Sequence, residues 1–270
     1  MGHPQIAAFA RTADGSAKAI RQLAGQKTLL GRSTHAISYN PIADEFTVPN
    51  PIAHAILTFR GSADGDEAPI RVIQGPRTLL NDPDLLTEDL VHNELFVSVG
   101  YAILVFPRGA NGNVAPLRVL QGPADSPLGF QALAVDPVHN LLVVTGFAEG
   151  GSESRIFLYN RTDEGNVAPK AHIGGPKSRY RASGGPLAVY PPKGEIIASS
   201  SGSGRLSPES FVGVWDIQDR GDVPPKWTIG GPNGVLTRAK GITLDPKHKS
   251  VIISDKGLNA VLTFYFPELF

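Results

Sequence analysis

Short, mostly apolar runs of four residues recur along the chain, and each run closes on an aromatic side chain. The closing aromatics follow one another at intervals of 50, 47, 53, 56 and 49 residues. A repeat with a period near fifty residues is typical of propeller blades and of other repeat arrays. The six closing residues are Phe9, Phe59, Phe106, Tyr159, Trp215 and Phe264.

The residues after each aromatic repeat as well. Asp-Gly or Asn-Gly follows in three copies, at residues 14–15, 64–65 and 111–112, and Glu-Gly follows in the fourth. Because both residues of such a pair can adopt positive φ, the pattern predicts a hairpin turn. A run opened by Pro and closed by Gly-Pro comes next, at residues 69–76 and 116–123. Since proline is tolerated at sheet edges and first strand positions, this run is predicted to be the outermost strand.

A second hairpin lies between the copies. Residues 133–144 and 242–253 each place two apolar runs on either side of an Asp-Pro turn. Runs that are apolar throughout indicate strands buried on both faces, as expected between neighbouring blades. Each unit is therefore predicted to have four antiparallel strands, which we label A to D from the inside outwards. The predicted fold class is an all-β propeller.

Composition agrees with this fold and excludes several functions. The chain has 270 residues with 30 Gly and 23 Pro, which suits many strands joined by turns. Lys+Arg and Asp+Glu number 25 each, so neither nucleic acid nor a membrane is an expected partner. The absence of Cys excludes disulfides, thiolate metal sites and a Cys nucleophile. No apolar run approaches the ~20 residues of a membrane helix, and no signal peptide is expected.

With these motifs the chain resembles the NHL, YVTN and gluconolactonase-like bacterial β-propellers along essentially its whole length. The resemblance rests on the motif of residues 69–76 and 116–123 and on the paired hairpins. Such propellers host binding, lactone hydrolysis and lyase chemistry, so the resemblance implies an architecture rather than one activity. It also favours a periplasmic or secreted location.

The strand count leaves the number of blades open. The sequence predicts a C strand at residues 6–9, a D strand at 20–24, four complete units, and a last A-B-C set within 242–264. One domain is expected over residues 1–270. The D strand at 20–24 can complete the last blade, which gives five blades closed by N- and C-terminal strands. We favour the six-bladed type, in which an upstream D-A-B segment is missing from the chain, and leave five blades as the alternative; a third interpretation is a designed or trimmed propeller.

The candidate site lies where the long loops meet. In a four-stranded blade the D-to-A and B-to-C connections share one face, and here they are the longer connections. Variable loops on a rigid scaffold commonly carry binding sites. Residues that enter the A strands or leave the B strands are predicted to surround the central channel, where the alternative role is a solvated rim. The candidates are His35, Asn50, Asp84, Gln131, Lys240 and Asp255, and Gly185 takes an equivalent position.

These residues suggest two functions from different classes. The first is a binding or interaction propeller that holds a small polar ligand, a peptide or a protein partner. The second is a hydrolase or lyase, in which His35 acts as general acid or base with Asp84 or Asp255. No cofactor is expected. In the lactonase-like version, oxygen atoms of Asn50, Asp84 and Asp255 can bind calcium, although Lys240 would repel a cation and no Glu maps to the ring.

Other polar residues are predicted to be structural. Three histidines follow an Asp in the A–B turns and are expected to support those turns; they are His92, His139 and His248. Three arginines at equivalent D-strand positions are expected to cover the aromatic or an acidic neighbour of their own blade; they are Arg21, Arg71 and Arg118. The Ser- and Gly-rich residues 199–204 lack the context of a nucleophile elbow and are predicted to form a loop.

Overall fold

The fold is built almost entirely of short strands. A computed structural model describes residues 5–124, 128–148, 153–181, 187–200 and 209–270. Within these ranges the only helical elements are single 3-10 turns, and the antiparallel sheets form a β-propeller with roughly four-stranded blades. The predicted fold class is therefore confirmed. In the same ranges no helix has the length and apolar character needed to cross a bilayer.

The first of two compact units contains residues up to 100 together with 104–117. It contains a two-stranded sheet, β1-β2, a four-stranded sheet, β3-β4-β5-β6, and the antiparallel pair β7-β8. Strand β9 is divided between the units. Two 3-10 turns cover Gln26–Thr28 and Pro76–Thr78. The strands are β1 (Ile6–Ala8), β2 (Arg21–Leu23), β3 (Ser38–Asn40), β4 (Glu45–Asn50), β5 (Ala55–Arg60), β6 (Arg71–Gln74), β7 (Leu86–Asp89), β8 (Glu94–Val99) and β9 (Ala102–Pro107).

The second unit contains residues 101–103 and 118–270. Its sheets are β11-β12-β13-β15, β16-β17-β18-β19 and the three-stranded β20-β21-β22, and β14 pairs in parallel with β10. Its 3-10 turns cover Pro191–Lys193, Pro246–His248 and Pro267–Leu269. The strands are β10 (Arg118–Gln121), β11 (Leu128–Asp136), β12 (Leu141–Ala148), β13 (Ser154–Asn160), β14 (Gly165–Asn166), β15 (Ala171–Ile173), β16 (Leu187–Tyr190), β17 (Glu195–Ser200), β18 (Phe211–Asp216), β19 (Trp227–Gly230), β20 (Ala239–Asp245), β21 (Ser250–Asp255) and β22 (Ala260–Tyr265).

The repeated aromatics explain much of the core. The four central members of the series are completely buried; they are Phe59, Phe106, Tyr159 and Trp215. Phe59 stacks on Phe46 of the adjacent strand with ring centroids 5.3 Å apart. Each such ring removes a large apolar area from water, so a position that is aromatic in every copy is a packing position. Phe9, at the start of the series, is 53% exposed.

One strand pairs differently from the five-blade expectation. In the five-blade alternative, residues 20–24 complete the last blade. In the structure, Arg21–Leu23 pairs antiparallel with Ile6–Ala8, and Leu23 bridges Gly65 along its other edge. The two N-terminal strands therefore form a sheet of their own. The sheet of β20, β21 and β22 contains three strands, and the expectation of a single domain stays a prediction.

The predicted hairpin of the C and D strands is confirmed, because β5 pairs antiparallel with β6. The connection runs from the end of β5 at Arg60 to the start of β6 at Arg71. The glycines have positive φ as expected, at 62°, 77°, 72° and 69° for Gly65, Gly112, Gly165 and Gly221. Each pairs in parallel with the D strand of the preceding repeat, in the order Leu23, Ile73, Leu120 and Ile173. The connection therefore joins consecutive repeats.

After three of these four glycines, the next residue makes a second contact with the preceding repeat. At Gly75, φ is 126° and an added Cβ would lie 2.6 Å from Asn113 Cγ, so only glycine fits. Asn113 Oδ1 accepts a 2.8 Å hydrogen bond from the backbone N–H of Arg77. The Thr78 hydroxyl donates to Gly75 O at 2.6 Å, which fixes the 3-10 turn. We call this arrangement a closed Gly–Asx junction. The pairs Gly25–Asp66 and Gly175–Asp222 repeat it.

The prediction for Arg71 is confirmed. Its guanidinium makes a bidentate contact with Glu45 on β4 of the same sheet, at 2.9 and 2.5 Å. Arg108 reaches the same carboxylate at 3.8 Å. Burial is the largest influence on Glu88 and raises its pKa, while Arg108, Glu45 and Arg71 act on it electrostatically, so we count Glu88 in the same charge cluster. Arg21 behaves differently and donates to the carbonyl of Gly61 at 3.3 Å.

Candidate ligand-binding site

Two of the predicted site residues are in direct contact. His35 precedes β3 and Asp84 precedes β7, so they occupy equivalent positions in consecutive repeats. His35 Nδ1 lies 2.5 Å from Asp84 Oδ1. The side chains are 60% and 47% exposed, which leaves both groups accessible from solvent. The pair combines a carboxylate with an imidazole.

Asn50 holds the loop that leads to His35. Its amide nitrogen donates to Leu29 O at 2.7 Å, and its amide oxygen accepts from the N–H of Ala53 at 3.3 Å. A Cβ on Gly31 would lie 2.4 Å from that oxygen, so the close approach of the loop requires glycine. Asn50 is 4% exposed. Its polar atoms are thus directed to the backbone of the two loops.

The loop before β7 is held in a similar way. The N–H of Asp84 donates to Ser98 O at 3.1 Å, and the N–H of Leu85 donates to the Ser98 hydroxyl at 3.1 Å. His54, in the B-to-C loop, accepts through Nδ1 from the N–H of Asp82 at 2.9 Å. The B-to-C and D-to-A loops of this unit are therefore tied to each other by hydrogen bonds, and the His35–Asp84 pair rests on a braced surface.

Asp255 is engaged by the protein in the second unit. It is 2% exposed and accepts hydrogen bonds from the N–H and hydroxyl of Thr237 and from the N–H of Arg238, Gly257 and Leu258. Burial alone would raise the pKa of Asp255, but backbone donors at Arg238, Thr237 and Leu258 and the Thr237 hydroxyl together lower it below its ordinary value. The carboxylate is therefore ionised and organises two loops.

Gln131 and Lys240 lie at irregular points of their strands. The register of β11 shifts between Phe130 and Leu133, and that of β20 shifts between Ala239 and Gly241. Such bulges re-aim a side chain. Both side chains are half-buried and both interact with other groups of the protein. Three of the six candidates lie in each unit, so the ring as a whole stays a prediction, and Gly185 and residues 201–204 lie outside the described residues.

The turn histidines have the structural role that was predicted. In each case Nδ1 contacts the Asp three residues earlier, and that Asp also accepts from the backbone N–H of the histidine. The distances from Nδ1 to the carboxylate are 2.7, 2.8 and 2.7 Å for His92, His139 and His248. Over the described ranges, no three His, Asp or Glu side chains are grouped so as to hold a metal ion. The calcium hypothesis stays untested.

Comparison with known proteins supports the architecture. No family model matches the chain, and no curated protein matches it by sequence. Hydrazine synthase of Kuenenia stuttgartiensis is similar in structure, with a TM-score of 0.59 and 13% identity over 91% of this chain and 67% of that one. A chain of the mitotic checkpoint complex has a TM-score of 0.55 and 14% identity over 92% of this chain and 65% of that one.

These likenesses bear on fold alone. This chain spans about two thirds of the length of each of those proteins. Both neighbours are β-propeller proteins, whereas the more specific resemblance to NHL and gluconolactonase-like propellers stays a prediction. By its repeats, its sheets and its structural neighbours, the chain is a β-propeller.

Proposed function

We propose that this protein is a binding propeller that holds a polar ligand or a partner against its D-to-A and B-to-C loops, with His35 and Asp84 as contact residues. The observation that carries the proposal is the 2.5 Å contact between these two side chains, both of which are open to solvent. Loops braced on a rigid scaffold are the usual location of binding residues. Propellers commonly bind proteins or ligands, and one structural neighbour belongs to a protein complex.

The pair determines which ligand groups fit. Asp84 Oδ2 and His35 Nε2 have no hydrogen-bond partner among the described residues. If Nδ1 carries the proton shared with Asp84, Nε2 of the neutral ring is an acceptor. In that tautomer the pair presents two neighbouring acceptors, Asp84 Oδ2 and His35 Nε2, which favour a ligand that donates, such as a hydroxyl group, an ammonium group or a peptide N–H. Asn50 and Asp255 support the loops in this proposal.

A hydrolase or lyase is the second candidate. A carboxylate in hydrogen-bond contact with an imidazole is the geometry of a general acid-base pair. The exposure of both side chains favours binding over catalysis, because catalytic electrostatics are strongest where water is excluded. In the lactonase-like version, the Asn50 oxygen and the Asp255 carboxylate would both have to exchange their N–H donors for a cation.

The experiment is a proton NMR titration of the full chain with free amino acids, monosaccharides and polyamines. We expect at least one compound to shift the ring signal of His35 and to leave the signals of His92, His139 and His248 unchanged. The Asp84→Asn variant should lose the response. A panel that moves no His35 signal, or that moves all four equally, contradicts the proposal. Turnover of an ester or lactone that disappears in His35→Gln would favour the second candidate.

A further inference from the structure

The residue before each closing aromatic marks the outer edge of its C strand. In five of the six copies its carbonyl accepts a backbone hydrogen bond, at 2.7–2.8 Å, from the residue that immediately precedes the D strand. The sixth equivalent is Thr263 on β22, and no described residue donates to its carbonyl. The five acceptors are Ala8, Thr58, Val105, Leu158 and Val214, and their donors are Ile20, Ile70, Leu117, Lys170 and Lys226.

The outer edge of β22 is accessible. The sheet of β20, β21 and β22 ends at this strand. Because the N–H of Phe266 donates to Lys249 O on the β21 side at 2.8 Å, the backbone groups of the alternate residues point away from β21. These residues are Val261, Thr263 and Tyr265, and all three are exposed, Val261 by 69% and Tyr265 by 72%. The edge therefore presents backbone donors and acceptors to solvent.

The residues after β22 do not follow this edge. They form the last 3-10 turn, whose Leu269 is completely buried in a hydrophobic cluster shared with the preceding sheet. The ring centroids of Phe266 and Trp227 are 6.2 Å apart, and those of Phe270 and Tyr190 are 5.1 Å apart. Both partners belong to the preceding sheet, so the chain turns back over it. Strand β2 is engaged as well, because it pairs with β1.

Strand β22 lacks the features that commonly protect a sheet edge, which are Lys, Pro and bulges. Residues 260–265 contain no charged residue and no Pro, and β22 pairs with β21 without a register shift. In the first complete sheet, Glu45 binds Arg71 of the D strand. Ser250 holds the equivalent place here, and its hydroxyl donates to His248 O at 2.9 Å. A strand that adds to this edge therefore needs no basic residue at the position of Arg71.

Strand β15 shows the pairing that suits such an edge. It lies along β13, where Ala171 faces Leu158 and Ile173 faces Ile156. The first B-strand position of that sheet is Leu141, so a carboxylate is absent there too, and the D strand has Ala where β6 has Arg71. By the alignment of the repeats, the counterparts of Leu158 and Ile156 on β22 are Thr263 and Val261.

We propose that the outer edge of β22 binds an extended segment of a partner protein, which adds to the sheet as a fourth, antiparallel strand. The segment has an uncharged residue opposite Thr263 and an aliphatic residue opposite Val261. Its backbone exchanges hydrogen bonds with these two residues, and pockets on either side of the strand contribute little, so recognition depends mainly on the main chain. Cross-strand pairing of its aliphatic residue with Val261 adds to the affinity.

The probe is acetyl-Pro-Lys-Ala-His-Ile-Gly-Gly-amide, which reproduces residues 169–175. We expect isothermal titration calorimetry to show binding to the full chain, and NMR spectra to show slower exchange of the Val261 and Thr263 amide protons in the complex. The matched control is the same peptide methylated on the backbone nitrogen of its Ile. Because it cannot donate to the Val261 carbonyl, it should bind about tenfold more weakly or worse.

Two variants of Thr263 separate the backbone from the side chain. Thr263→Pro removes the N–H that points to the open edge and keeps the bonds between β21 and β22, since proline is tolerated on the outer side of an edge strand. It should abolish peptide binding. Thr263→Val keeps the backbone donor and should bind within about twofold of the unaltered chain. Melting temperatures of both variants check that they fold.

The remaining arms separate the alternatives. His35→Gln should bind the peptide like the unaltered chain, because every residue of this edge belongs to the second unit, so failure of the first site leaves this test intact. A dimer in light scattering that Thr263→Pro dissociates, together with no peptide binding, would mean that a second copy covers the edge and would overturn the proposal. No binding at millimolar peptide, or equal binding of the methylated peptide or by Thr263→Pro, would overturn it as well.

Discussion

The junctions at Gly75 and at Gly122 follow nearly the same eight residues and differ in structure. Residues 69–76 and 116–123 share Pro, Arg, Val, Gln, Gly and Pro at equivalent positions. The first is followed by Arg77 and Thr78, whose backbone and hydroxyl groups close the junction. The second is followed by Ala124, and a cavity borders it. Nearly identical strands therefore pair alike with the next repeat, whereas the hydrogen bonds of the described residues after the strand differ.

The largest expected difference between the two junctions comes from their glycines. Gly75→Ala places a Cβ at φ 126° and 2.6 Å from Asn113 Cγ, so we expect a loss of about 2–4 kcal/mol in the free energy of unfolding. Gly122→Ala meets only Leu128 at 3.0 Å, and about 1 kcal/mol is expected. Urea denaturation of both variants measures the difference. Equal losses would show that the two junctions are alike.

Removing the Asx side chains should give a smaller difference in unfolding free energy between the two junctions. Asn113→Ala removes the acceptor of the Arg77 N–H and should cost about 1–2 kcal/mol of unfolding free energy. Asn166→Ala removes no hydrogen bond to a described residue and should stay within about 0.5 kcal/mol. The comparison is made by thermal unfolding of the two variants in parallel. A larger loss for Asn166→Ala than for Asn113→Ala would mean that its amide is already bound within the chain.

The charge cluster beside the closed junction gives a pH test. The hydrogen bonds from Arg71 are the largest influence on Glu45 and lower its pKa, so its stabilising contribution is present above the unfolded pKa and is lost as pH falls through the folded one. Burial is the largest influence on Glu88 and raises its pKa, so stability falls as pH rises through that folded pKa. At pH 7, Glu45→Gln should therefore destabilise the protein, and Glu88→Gln should stabilise it.

The contrast between these two variants should shrink in acid. Below the lowered folded pKa of Glu45, both carboxyl groups are protonated in the folded and unfolded states, so each Gln variant resembles the unaltered chain there. Chemical denaturation at pH 7 and at low pH measures whether Glu45→Gln lowers and Glu88→Gln raises the free energy of unfolding. A Glu88→Gln variant that is less stable than the unaltered chain at pH 7 would show that the ionised carboxylate of Glu88 stabilises the folded state.

The smallest expected effect on stability belongs to the candidate binding pair. His35 and Asp84 are largely exposed, and exposed ion pairs contribute about 0–1 kcal/mol. His35→Gln should therefore change the unfolding free energy by less than about 0.5 kcal/mol, while it removes the ligand response. A loss comparable to that of Gly75→Ala would indicate that the pair is structural.

The sequence predicted the features that depend on repetition. The period of the aromatics, the outer-strand motif and the Asp–His turns all recur, and the structure confirms each in its place. The alignment also placed His35 and Asp84 at equivalent positions of consecutive repeats, whereas their contact is seen only in the structure. A motif that recurs in several copies of one chain supports a structural interpretation more strongly than a motif that occurs once.

Features that depend on contacts between repeats were missed. Asp-Gly and Asn-Gly indicate positive φ, but only the neighbouring D strand shows that Gly65 and Gly112 serve as parallel bridges. The Asx after each glycine repeats four times, at Asp66, Asn113, Asn166 and Asp222, and this signal was available in the sequence. The cavity could not be predicted, because it depends on how Leu128 and Tyr101 pack at a junction whose strand resembles a closed one.

The central claim is that a backbone N–H binds the Asx side chain at three Gly–Asx junctions, whereas among the described residues the N–H of Ala124 makes no such contact with Asn166. Native-state amide hydrogen exchange measured by NMR tests it directly. The N–H groups of Lys27, Arg77 and Lys177 are bound to Asx oxygens, so they should exchange about tenfold or more slowly than that of Ala124, after correction for intrinsic rates. Equal protection of the Ala124 amide would contradict the account.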